Sequence, residues 1–177
     1  MVSRRKFLKY SLIAGGTVAA GATFYATIPV DEISQKLKSL DLKFFNDNDE
    51  YVLLTIIPVI LQGTQADAEV YATVIKNMDD TIQTLPLRVQ TELRELMDIL
   101  ASKLARATLI GIWAPWRQAS PEQISEFLTS WRNSFIDLLQ VGYQGLKSLV
   151  LGSYYAESNT WKPIGYMGPP NLGLGGQ

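Results

Sequence analysis

The side chains that could do chemistry in this chain are few and almost all oxygen-based. Cysteine and histidine are both absent. Their absence removes Cys-ligated iron–sulfur clusters, His-ligated or c-type haem and zinc sites built from Cys or His. It also removes Ser-His-Asp and Cys-His nucleophile arrangements. What remains for acid–base work is paired carboxylates, at Asp79-Asp80 and in the Asp47/Asp49/Glu50 group. Adjacent carboxylates on a helix do not face each other, and acids gather at helix starts because the macrodipole favours them there. Both groups therefore read first as structural. Asn46-Asp47-Asn48-Asp49-Glu50 has the look of a calcium loop. It lacks the central glycine, and the apolar Leu53 to Leu61 stands where the twelfth-position glutamate should be. A cofactor-free enzyme built on Asp, Glu, Lys or Tyr would need convergent carboxylates in a pocket.

The most specific pattern lies at the amino end. The sequence SRRKFLK matches the twin-arginine export signal at Ser3, Arg4, Arg5, Phe7, Leu8 and Lys9. Two adjacent guanidiniums keep their charge at any physiological pH and present forked donors to receptor carboxylates. From Tyr10 to Val30 no residue is charged, so a basic segment precedes a mildly apolar one, the layout of an export leader. Ala20-Gly21-Ala22 offers cleavage after residue 22. The alternative is an uncleaved anchor extending to about residue 28, since the uncharged run is about as long as a bilayer requires. The expected location is the periplasm, with attachment to the inner membrane if the leader stays.

The elements downstream are helical. The chain has 177 residues, 47% of them hydrophobic and 19% charged, enough for one domain with a sizeable core. Of 16 lysines and arginines, four lie in the first 22 residues, leaving 12 against 17 acidic residues. No basic stripe remains for nucleic acid. The segment from Val30 has mixed polarity and partial helical character. A helix then starts with Asp47 or Asn48 as its cap. Its body, Val52 to Leu61, is apolar nearly all round and so central, with Pro58 kinking or ending it. Val70, Tyr71, Val74, Ile75, Met78 and Ile82 follow helical spacing. A further helix begins at Leu85-Pro86 and runs to Gly111, with Val89, Leu93, Leu96, Met97, Leu100, Leu104 and Ala107 inward. Glu92, Arg94, Glu95, Asp98, Lys103 and Arg106 form its solvated face.

Trp113 and Trp116 flank Pro115 in a connection. Ser120-Pro121-Glu122-Gln123 then spells a capping box with proline in the first helical position. One continuous stripe is expected to follow, through Ile124, Phe127, Leu128, Trp131, Phe135, Leu138 and Leu139 to Tyr143, Leu146, Leu149 and Val150. Gly142 and Gly145 inside it predict close approach of another helix, in this chain or a partner. The expected architecture is all-α: one helical domain of about five helices over 31–152, followed by an irregular, aromatic, Pro/Gly-rich tail over 153–177. The tail's aromatics suit an interface anchor, or fold back on their own helices.

These residues resemble the gluconate 2-dehydrogenase subunit 3 family, the small subunits of membrane-bound FAD-dependent dehydrogenases. The resemblance rests on the twin-arginine leader, on the helix FNDNDEYVLLTIIPVIL with its internal Pro58, and on the closing pattern. That pattern is Tyr154-Tyr155, then Trp161 to Tyr166, then Gly168-Pro169. The resemblance implies a non-catalytic subunit without a cofactor of its own, which escorts a large flavoprotein carrying FAD through the twin-arginine machinery. A cytochrome subunit often completes such a complex. Tyr154, Tyr155, Trp161, Tyr166, Gly168 and Pro169 are then the expected flavoprotein contacts. The rival expectation is a stand-alone helical interaction protein of the periplasm or its membrane.

Overall fold

The computed structural model describes residues 30–64, 66–103 and 115–169. The leader, including Ser3, Arg4, Arg5, Phe7, Leu8, Lys9 and both cleavage and anchor expectations, lies outside these residues. So do Leu104, Ala107, Trp113 and the end of the tail.

The fold is all-α; among the described residues there is no strand. Among the described residues these α-helices follow in chain order: α1 Val30–Lys38, α2 Asp47–Ile60, α3 Ala68–Thr84, α4 Leu87–Ala101, α5 Pro121–Arg132 and α6 Asp137–Tyr155. Short 3-10 turns occupy Trp116–Gln118, Ser158–Thr160 and Lys162–Ile164.

Helix α2 sits at the centre and touches α3, α4, α5, α6 and the Trp116 turn. Its composition explains the position. Every residue from Val52 to Pro58 is buried, so no face is left for water. Asn46 caps it, not Asp47 or Asn48. The Asn46 side chain accepts from the Asn48 amide while Asp49 reaches back to the Asn46 amide at 2.9 Å. The cap falls one residue early because only Asn46 has the extended backbone that an N-cap requires. Pro58 withholds a donor within the last turn, and α2 stops at Ile60. Gly63, at φ +88°, turns the chain toward α3.

Helix α3 buries the expected stripe of Tyr71, Val74, Ile75, Met78 and Ile82, with Val70 partly covered. It packs along α6 and α1. Helix α4 ends at Ala101, where Ser102 turns extended, so the long helix expected to reach Gly111 is broken. Trp116 is buried there and its indole N–H donates to the Leu100 carbonyl at 2.8 Å, binding one of the carbonyls that the helix end leaves free.

The continuous helix expected after Ser120 is two helices. The capping box is present, with Gln123 accepting from the Ser120 amide at 2.9 Å. Helix α5 then closes at Asn133. Ser134 interrupts the ladder, its hydroxyl accepting from the Ile136 amide at 3.0 Å and its carbonyl accepting from Gln140. Serine competes with helix in this way through local side-chain bonds. The phase shifts across the break. Ile124, Phe127, Leu128 and Trp131 remain buried, but Phe135 is 94% exposed and Leu138 75% exposed.

Gly142 meets its expectation: a methyl group there would lie 3.3 Å from the Trp131 ring. At Gly145 nothing lies within 4 Å. The expected tail boundary at residue 153 falls inside α6, which continues to Tyr155 because Ser153 and Tyr154 are buried against the core. Among the described residues no helix is long and apolar enough to cross a membrane.

Candidate interaction surface

Of the candidate carboxylates, Asp79, Asp80 and Asp49 make structural contacts, while Asp47 and Glu50 line a cleft. Asp79 is fully buried on α3. Its two oxygens accept from the backbone amides of Lys43, Phe44 and Phe45 at 3.0, 2.9 and 3.0 Å, and from the Gln83 side chain at 2.8 Å. Asp80 turns outward to Lys76, so the neighbours indeed do not cooperate. Asp49, also fully buried, takes a two-pronged contact from Arg94 at 2.8 and 2.6 Å.

Arg94 was expected on the solvated face of α4 and is instead a partly buried strut. It also bonds Asp98 at 3.0 Å and the Phe44 carbonyl at 3.2 Å, and lies 5.3 Å from the Phe44 ring centre. The Asp49 bond holds the guanidinium even more firmly protonated than usual. Asp79 and Arg94 together grip residues 43–45 from opposite helices. The i, i+4 spacing of Arg94 and Asp98 is visible in sequence, but the fifty-residue reach to Phe44 leaves no local signal.

Among the described residues there is no cluster of acids able to hold a metal ion. A cleft of about 240 Å³ beside α1 and the start of α2 has a mixed lining, with Leu37, Leu40, Phe45 and Leu53 next to Lys38, Asn46, Asp47 and Glu50.

The closing segment is organised around two aromatic pairs. Tyr154 and Tyr155, at the end of α6, stand edge to face at 5.0 Å. Tyr154 is buried, whereas Tyr155 is 38% exposed. Thr160 donates to the Tyr154 and Glu157 carbonyls at 3.2 and 2.7 Å, tightening the turn. Glu157 in turn accepts from Asn77 on α3 at 2.9 Å.

Trp161 folds back so that its indole N–H reaches the Tyr155 carbonyl at 2.7 Å. Its ring meets Tyr166 edge to face at 5.2 Å, and its carbonyl accepts from the Tyr166 amide at 3.1 Å. That return requires Gly165 in the left-handed region, at φ +74°. Gly168, at φ +96°, lies against Trp161; a methyl group there would sit 3.5 Å from the indole. Pro169 follows on the surface. Four of the six expected contact residues, Tyr155, Trp161, Tyr166 and Gly168, thus form one ledge, Pro169 follows it in the chain, and Tyr154 serves mainly as its buried footing. Tyr166 and Met167 remain 46% and 94% exposed.

A second apolar area was not anticipated. Phe135, Ile136, Leu138 and Val141 are all exposed at the start of α6. The weak local signal was Ser134, the residue that breaks the helix. No protein-family model matches the chain, and neither a curated protein nor a solved structure shows similarity to it.

Proposed function

We propose that this chain is the non-catalytic small subunit of an FAD-dependent dehydrogenase, escorting the flavoprotein through twin-arginine export and assembling with it in the periplasm. The observation that carries the reading is the leader, S-R-R-x-F-L-K at Ser3 to Lys9. The twin-arginine route serves proteins that leave the cytoplasm already folded. A flavoprotein lacking its own leader would need such an escort. The ledge of Tyr155, Trp161 and Tyr166 supports the reading by presenting rigid aromatic area on a folded base, as interface anchors do.

The test is recovery of the tagged chain from its native envelope, with bound flavin read by absorbance and the companion identified. A yellow complex with a large flavoprotein is expected, and it should disappear when Arg4 and Arg5 are both replaced by Lys. Trp161→Ala should weaken the complex by about 2 kcal/mol or more, a hot-spot loss, without preventing export of the chain. A colourless chain that purifies alone would sink the escort reading. If that chain stays in the membrane fraction, the stand-alone anchored protein takes its place.

A further inference from the structure

Among the described residues the outer face of α6 has no partner. Leu138, Val141, Gly145, Ser148, Gly152 and Tyr155 are all exposed, and they alternate by three and four residues. This is the a/d seam of a coiled coil, two and a half heptads long. Of the exposed positions on α6, only Asp137 and Lys147 are charged. Among the described residues nothing lies within 4 Å of a methyl group built on Gly145 or Gly152. Each glycine weakens the helix relative to alanine, and among the described residues no contact requires it. A seam that is uncharged, apolar at one end and small in the middle is shaped for a second helix at short distance.

We infer that the second helix is α6 of another copy, packed antiparallel to form a two-fold dimer. The seam is self-complementary in that direction. A two-fold axis between Leu146 and Lys147 sets Leu138 opposite the partner's Tyr155, Val141 opposite the partner's Gly152 and Gly145 opposite the partner's Ser148. Each inner pair joins a larger group to a smaller one, so the axes can approach to the lower end of the 8–10 Å range. Parallel pairing would instead set glycine on glycine at 145 and 152, leaving gaps, and tyrosine on tyrosine at 155. Antiparallel pairing also opposes the two helix dipoles. An isologous contact of this kind closes on itself.

The area suffices. Phe135, Leu138, Val141 and Tyr155, which are 94%, 75%, 66% and 38% exposed, together with the small residues between them, offer on the order of 600 Å² per copy. That is the lower end of a standard interface. Tyr155 is the one residue that this seam shares with the Trp161 ledge; the dimer covers it, and the Trp161–Tyr166 pair follows it in the chain beyond the seam. The dimer does not depend on the escort reading.

The test uses the full chain, whose lack of cysteine lets single thiols report on single contacts. Val141→Cys and Gly152→Cys are made separately, both at exposed positions. In the antiparallel dimer, like positions lie about 16 Å apart along the axis, beyond disulfide reach. Under mild oxidant, only the mixture of the two variants should cross-link, into a heteropair. Each variant alone should remain uncrosslinked.

Light scattering should give twice the chain mass for the unmodified protein. Gly145→Arg should raise the dissociation constant at least about 30-fold while leaving the helical circular dichroism unchanged. Cross-linking by Val141→Cys alone would overturn the arrangement, as would a single-chain mass at tens of micromolar. A Gly145→Arg chain that stays dimeric would overturn it as well.

Discussion

Asp79 shows how one side chain can hold a segment that has no secondary structure of its own. Residues 43–45 run irregularly between α1 and α2, and their amides would be stranded without an acceptor. A carboxylate supplies several lone pairs at one point, and Asp79 uses them on three consecutive amides and on Gln83. Asp79→Ala leaves those buried donors unpaired, so it should cost about 3 kcal/mol or more. Asp80→Ala, one residue along but exposed, should change stability by less than about 0.5 kcal/mol. Urea titration of both variants checks the contrast; equal losses would refute the role given to Asp79. In sequence the two aspartates look alike. Only helical phase separates them, and phase says which one is inside without saying what it binds.

At the scale of elements, α2, α3 and the start of α5 were legible because their signals are local. An all-round apolar run, a clean three-and-four periodicity and a capping box each depend on residues within a few positions. The break between α5 and α6 was not legible, because no proline or glycine marks it. Ser134 ends the ladder through bonds that an ordinary mid-helix serine could equally have left unmade. Likewise Arg94 and Asp98 fit a solvated i, i+4 pair until the fold brings Asp49 and Phe44 alongside. Packing also decides the sign of one substitution. Gly142→Ala raises helix propensity, yet its methyl group meets Trp131, which is buried and set edge to face against Phe127 at 4.8 Å. A net loss of about 1 kcal/mol is expected. A gain in the urea midpoint would show that Trp131 can yield.

Across the whole molecule, the core links α3 to the closing segment through Tyr71 and Tyr154. Burial pushes the Tyr71 phenol above its ordinary range, with Asp67 and Tyr154 adding to the effect. The neutral form is thus favoured in the folded state. The contribution is fully present below pH 10, the ordinary tyrosine value, and is lost as pH rises toward the folded-state value, because the unfolded chain gives up its proton first. Stability measured by thermal melting should fall above pH 10, and Tyr71→Phe should flatten that fall. An unchanged slope in the variant would assign the alkaline loss to other groups.

The grip on residues 43–45 has a mechanical side. A pull applied at the start of α1 first loads Ile33 and Leu37, which are buried in the core, and then this segment. There it meets three amides bonded to a single carboxylate on α3, and a carbonyl held by Arg94 of α4. The load is shared by bonds that must fail together, since the two anchoring helices flank the same short stretch. To pass this point, tension must draw Ile33 and Leu37 out of the core and then break the bonds of the clamp together, so the helices beyond it are loaded last.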